Sequence, residues 1–174
     1  MKKKQEEGKN MSERGQIVLG AFSAFFKAMM DGYVGGTSRK SVKTKTPDGY
    51  TNIVFVDGDY RVEDRYHTIV IPEKKDHSEG KTSIFHQNVL VWEMFYEGHY
   101  PDEVIPFLKK VLAETYKREK FVGGRGPVHF SDDQHAYTNI VERVDFTDFS
   151  GVEAIQPVPG GFTIGYHKYH GGLV

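Results

Sequence analysis

Two histidines near the end of the chain are the side chains best suited to acid–base or metal chemistry. His167 and His170 lie three residues apart in the segment GYHKYHGGLV, residues 165–174. Side chains three positions apart in a β-strand point to opposite faces, so the pair cannot share a metal ion unless a bulge intervenes. We therefore predict a last sheet strand without a metal site or cofactor. His170, beside two glycines, can contact a ligand or act as a general base, and the alternative is a purely structural strand end.

Three carboxylates interrupt segments that otherwise have the pattern of apolar strand faces: Asp64, Glu93 and Glu153. A buried carboxylate is costly unless it is paired or hydrogen-bonded, so each one requires a partner. The available partners are tyrosine hydroxyls, Arg39, Arg65, Arg125 and His170. One interpretation is a polar cluster inside an aromatic-lined pocket, with shifted pKa values. The other interpretation is structural hydrogen bonding between strands.

The glycine-rich segment GGRGP, residues 123–127, is compatible with an anion-binding nest or with a turn. A strand-like VHF follows it in place of a helix, and the Lys-Ser/Thr ending of a phosphate loop is missing. We therefore predict a turn. The sequence also contains no Gly-x-Ser-x-Gly elbow, dinucleotide-binding fingerprint or calcium loop, which weakens the case for the common enzyme classes that use them.

Composition excludes further classes of function. The chain has no cysteine, which excludes disulfides, thiolate metal sites and cysteine nucleophiles. Its formal net charge of -1 gives no overall electrostatic reason to expect nucleic-acid binding. The apolar run IVLGAFSAFF, residues 17–26, is too short to span a bilayer, and Lys27 interrupts it. We expect a cytoplasmic protein without direct nucleic-acid or membrane partners.

Periodicity and turn signals predict an α+β domain over residues 12–174, behind a disordered tail of residues 1–11. Ser12 is expected to cap a helix that runs to about Met30, and Asp102 to cap a second one. The remaining elements are predicted strands at 50–56, 60–71 and 89–96, a hairpin turn at 57–59, a polar loop at 72–81, and further strands after residue 127. The prediction is a mainly antiparallel sheet with two principal helices.

One short sequence occurs twice. YTNIV stands at residues 50–54 and again, unchanged, at 137–141. This repetition is compatible with two pseudo-repeated strand units, and coincidence is the alternative.

Six motifs in order carry a resemblance to a known family: FFKAMMDGYVGGTS, GDYRVEDRY, VLVWEMFYEG, GGRGPVHF, FSGVEAI and YHGGLV. Over residues 20–174 the chain resembles an uncharacterised bacterial domain, found alone or behind XRE-type helix-turn-helix DNA-binding domains. The resemblance implies a domain of unknown function that is tied in some relatives to transcriptional control. Two departures are evident: residues 1–11 leave no room for a DNA-binding module before the first helix, and the loop at 72–81 replaces a short glycine turn.

The first functional hypothesis is a non-enzymatic small-molecule-sensing or interaction module. Its aromatic-lined cavity would be formed by the sheet, covered by the first helix, and lined by Tyr60, Asp64, Tyr66, Trp92, Glu93 and His170. One rival is a small hydrolase or isomerase that pairs His170 with a carboxylate. Another is a homodimeric protein-binding module, which a contiguous exposed apolar patch or an unpaired edge at the terminal strand would favour.

Overall fold

The computed structural model describes residues 11–35, 40–69 and 77–174, and the predicted tail lies outside them except for Met11. Antiparallel strands form one sheet in the order β1-β2-β3-β4-β5-β9-β8-β7-β6, which confirms the predicted α+β class. The strands are β1 (Val42–Lys45), β2 (Thr51–Asp57), β3 (Tyr60–Ile69), β4 (His77–His86), β5 (Val89–His99), β6 (His129–Ser131), β7 (His135–Asp145), β8 (Asp148–Pro157) and β9 (Gly165–Leu173).

Two helices cover one face of this sheet, which we call the inner face. Helix α1 spans Glu13–Ala28 and continues as a π-helical turn at Met29–Tyr33; helix α2 spans Ile105–Tyr116. The Ser12 hydroxyl accepts a hydrogen bond from the Gly15 amide at 3.2 Å, which confirms the predicted cap. Among the described residues, no helix is long and apolar enough to cross a membrane.

The predicted cap of the second helix is wrong. Asp102 begins a 3-10 turn that ends at Val104, and no side chain caps the first residue of α2. Pro106 lies in the first turn of α2, as predicted, where its missing backbone donor is tolerated.

Aromatic rings fill the space between α1 and the sheet. The Trp92 side chain is fully buried and stacks on Phe146 and Phe149, with ring centroids 5.0 and 5.3 Å away. Its indole nitrogen donates a hydrogen bond to the Phe146 carbonyl oxygen at 2.8 Å. Phe25 of α1 lies 5.3 Å from the Trp92 ring, so this helix is held by aromatic packing on the middle of the sheet.

Strand β4 starts earlier than predicted. Residues 77–81, interpreted from sequence as loop, are paired with β3 on one side and largely with β5 on the other. Their polar character reflects a strand whose outward side chains meet solvent, and the remainder of the predicted loop, residues 72–76, lies outside the described ranges.

Strand β9 lies in the interior of the sheet, between β5 and β8. It therefore lacks the unpaired edge that is one of two features favouring the homodimer hypothesis; in the described part of the chain, the outermost strands are β1 and β6.

The two YTNIV copies do not occupy equivalent positions. In β2 the buried side chains are Thr51 and Ile53, whereas in β7 they are Tyr137 and Asn139. Corresponding residues of the two segments thus face opposite sides of the sheet, and the repeated sequence is not a structural repeat.

Candidate functional site

An ion pair between Arg125 and Glu153 lies in the protein interior, with side chains 6% and 0% exposed. The Arg125 Nε donates to Glu153 Oε1 at 2.9 Å, and its Nη2 contacts the same oxygen. The other carboxylate oxygen accepts a hydrogen bond from the Tyr137 hydroxyl at 2.5 Å. Burial lowers the pKa of Arg125, but the charge and hydrogen bonds of Glu153 together with the nearby tyrosines outweigh burial, and the pKa lies well above its ordinary value. Arg125 is therefore a buried cation.

The glycines of GGRGP explain how Arg125 enters the core. Gly123 and Gly124 have φ of 63° and 71°, in the left-handed region that favours glycine. A Cβ at Gly123 would lie 2.5 Å from the Tyr169 ring, so only glycine fits. The amide of Asn139 donates to the carbonyl oxygens of Val122 and Gly126, at 3.2 and 2.9 Å, and fixes the loop. The segment is a turn, as predicted, and it presents a cation to the core.

Asp64 is the second buried carboxylate, 3% exposed on the inner face of β3. Its Oδ1 accepts hydrogen bonds from the hydroxyls of Tyr96 and Thr82, at 2.8 and 2.9 Å. Burial raises the pKa of Asp64, although these hydroxyls and the Arg125 charge act in the opposite direction. Close to it, burial raises the pKa of Tyr33 in the π-helical turn to about 12.

The space under the end of α1 is too small for an organic ligand. Two cavities that share Met29, Tyr33 and Asp64 in their linings have volumes of about 10 and 20 Å³. A cavity needs a volume on the order of 10–15 Å³ to hold one water molecule. The larger cavity also meets Arg125 and His167, so it is a polar space of water size inside the core.

His167 connects this cluster to Ser78 in an order that resembles a catalytic triad. Its Nε2 lies 2.8 Å from Ser78 Oγ, while its Nδ1 lies 3.5 Å from Arg125 Nη2 and 3.8 Å from Glu153 Oε1. The guanidinium of Arg125 only donates, and the carboxylate of Glu153 accepts, so the two neighbours of Nδ1 favour opposite tautomers. The tautomer decides whether the Ser78 hydroxyl donates to Nε2 or accepts from it. Burial, together with Arg125, holds the pKa of His167 well below its ordinary value, so the ring is neutral.

The structure divides the predicted ligand-binding residues between the two faces of the sheet. Asp64 and Trp92 are buried on the inner face, and the Tyr60 hydroxyl donates to the Ile17 carbonyl oxygen of α1 at 3.1 Å. Tyr66 also packs against the inner core. Glu93 and His170 are on the opposite face, which we call the outer face. The predicted cavity under α1, lined by all six residues, is therefore not formed.

The outer face carries a groove of about 740 Å³ that neither α1 nor α2 covers. One side includes Tyr50, which stacks on His67 at 4.8 Å and lies 4.4 Å below the guanidinium of Arg65. The other side includes Phe95 and His170, whose rings are 5.5 Å apart and inclined by 19°. The lining residues are Asp48, Tyr50, Arg65, Glu79, Gly80, Lys81, Phe95, Tyr96, Glu97, Lys168, Tyr169 and His170.

Two residues connect the groove to the buried polar cluster. Tyr96 and Tyr169 border the groove from within β5 and β9, and their side chains point to the inner face. The Tyr96 hydroxyl reaches Asp64, and the Tyr169 hydroxyl donates to Asn139 Oδ1 at 2.6 Å. Because Asn139 also holds the Arg125 loop, the polar core fixes part of the groove in place.

Of the six predicted residues, only His170 lines the groove. Sequence reasoning missed Phe95, Lys81 and Lys168, although strand alternation was sufficient to place Phe95 on the same face as Glu93. Sequence reasoning gave no indication that the outer face is uncovered at Phe95, because the sequence of β5 is apolar on both faces.

Within residues 11–35, 40–69 and 77–174, no group of three or more His, Cys, Asp or Glu side chains is arranged to hold a metal ion. The family described as Domain of unknown function (DUF5680) matches residues 74–174. No curated protein and no solved structure matches the chain. The matched region includes Arg125, Glu153 and His167 of the core, together with His170 of the groove.

Proposed function

Because this chain belongs to the family described as Domain of unknown function (DUF5680), whose description names no activity, we propose a function from its geometry. The domain binds a small organic molecule in the outer-face groove. The observation that carries this proposal is a groove of about 740 Å³ with aromatic rings on two sides and charged side chains between them.

The size and lining of the groove suit a small molecule. Ligand pockets in proteins measure roughly 300–1,000 Å³ and combine aromatic surface with a few polar groups. Phe95 is 40% exposed although it lies on a central strand. A flat ligand that stacks on the ring pair of Phe95 and His170 would remove this apolar surface from water.

The groove also has features of a preformed site. The Phe95 and His170 rings stack on each other, and the Tyr50 ring contacts both His67 and Arg65. Side chains that are already ordered lose little conformational entropy when a ligand binds. This favours binding to the groove without rearrangement of the sheet.

An enzymatic role has less support. No hydrogen bond or ion pair joins His170 to a carboxylate within the described part of the chain, so nothing there orients it as a general base. His167 is 5% exposed and does not line the groove. Binding without a chemical step is therefore the proposed activity, and a sensing role, as the sequence resemblance implies, is its proposed use.

Naphthalene-2-carboxamide, a flat and uncharged probe, tests the proposal. Titration into uniformly ¹⁵N-labelled protein is expected to shift backbone amide resonances at residues 79–81, 95–97 and 168–170. His170→Ala removes one stacking ring and is expected to weaken binding by about 2-fold to 10-fold, which corresponds to roughly 0.5–1.5 kcal/mol for an aromatic pair.

The matched control is Val144→Ala, which truncates an exposed side chain on β7 that does not line the groove. It is expected to leave the affinity unchanged. Resonance shifts that map to the helices, or equal effects of the two variants, would contradict the proposal.

A further inference from the structure

Charges in the groove are unequally compensated. Arg65 forms an ion pair with Asp48 at 2.7 Å, and Lys81 forms one with Glu93 at the same distance. The Ser83 hydroxyl also donates to Glu93, at 2.8 Å, so this acid is fully engaged. These cations therefore have local counter-charges.

Three charged side chains remain: Glu79, Glu97 and Lys168. None of them forms an ion pair with another residue in the described ranges. The contact of Glu79 is a long hydrogen bond of 3.4 Å from the Tyr50 hydroxyl. When Glu93 is counted with the lining, four acids and three bases among the described residues leave one negative charge in excess.

Strand register places these charges in one row across the outer face. Glu79 on β4 is directly opposite Glu97 on β5, and Glu97 is directly opposite Lys168 on β9. Like charges opposite each other on neighbouring strands are destabilising. A ligand cation between Glu79 and Glu97 would relieve this repulsion.

The aromatic ring pair lies in the next row of the same face. Phe95 is opposite His170, two residues along β5 from Glu97. Two residues of strand span roughly 7 Å. A rigid ligand can therefore stack on this ring pair while a charged group at its end reaches the two carboxylates.

We infer that the groove selects a flat aromatic ligand that carries a positive charge, such as an aromatic amidine. The inference rests on the proposed function, since it assigns the ligand class of the same groove. Stacking supplies apolar contact and Glu79 and Glu97 supply the selectivity for charge. In the described part of the lining, Lys168 is the cation without an ion-pair partner that could favour an anion, and it is directly opposite Glu97.

Three probes with the same ring system separate charge from shape: naphthalene-2-carboxamidine, naphthalene-2-carboxamide and naphthalene-2-carboxylate. The amidine is expected to bind about 3-fold to 5-fold more tightly than the amide, from the range for exposed ion pairs, and the carboxylate most weakly. Glu97→Gln is expected to remove most of the preference for the amidine over the amide. Glu142→Gln, which changes an exposed acid on β7 outside the groove, is the matched control and is expected to preserve the order.

The outcomes distinguish this inference from the proposed function. Equal affinities for the three probes, a preference for the carboxylate, or an order that Glu97→Gln does not alter would overturn the ligand class. Amide binding that still maps to the groove would then leave the proposed function intact. Failure of all three probes to shift groove resonances would overturn both.

Discussion

Replacement of Glu153 by glutamine is expected to lower the free energy of unfolding by about 3–5 kcal/mol, the usual range for breaking a buried ion pair. Glutamine keeps the size of the side chain and removes only its charge. Arg125, which is 5% exposed, would remain as a buried cation without its counter-charge. Urea unfolding followed by circular dichroism measures the change.

A double variant separates the cost of an unpaired charge from the value of the pair itself. Arg125→Met combined with Glu153→Leu removes both charges, and we expect it to be more stable than Glu153→Gln alone. Glu142→Gln is the control for loss of a carboxylate at the surface and is expected to change stability by less than about 0.5 kcal/mol. A loss below about 1 kcal/mol in Glu153→Gln would mean that the pair is not buried as described.

Replacement of Trp92 by alanine is expected to cost about 3–5 kcal/mol of stability, because it removes a fully buried indole between Phe146 and Phe149. The comparison is Phe95→Ala, three residues further along β5 on the opposite face. Because Phe95 is 40% exposed, that change is expected to cost less than half as much stability and to weaken naphthalene-2-carboxamide binding instead.

Thermal unfolding and resonance-shift titrations of the two variants check this contrast. If Phe95→Ala destabilises the fold more than Trp92→Ala, the assignment of inner and outer faces is wrong. If Trp92→Ala stays folded and loses only ligand binding, the ligand site is under α1, as the sequence hypothesis placed it.

Strand alternation predicted which residues share a face. It separated His167 from His170 and placed Asp64 on the inner side, and the structure agrees with both predictions. It could not tell which face the helices cover, because this depends on how α1 packs against the finished sheet. Trp92 and Glu93 were therefore assigned to one cavity although they point in opposite directions.

The buried ion pair was only partly predictable. The sequence indicated that Glu153 required a partner and included Arg125 among the candidates. Arg125 can reach Glu153 because Gly123 and Gly124 have no Cβ atoms, which lets their loop approach Tyr169 and Met94. The residue pattern of a short segment does not reveal such a close approach between distant parts of the chain. It also does not reveal that the groove beside Phe95 is open.

The most direct test of small-molecule binding in the groove is a crystal structure of the protein soaked with naphthalene-2-carboxamidine. The account predicts electron density for the ring system against Phe95 and His170, with the amidinium between Glu79 and Glu97. Density for the probe elsewhere on the molecule, with the groove occupied only by solvent, would contradict it.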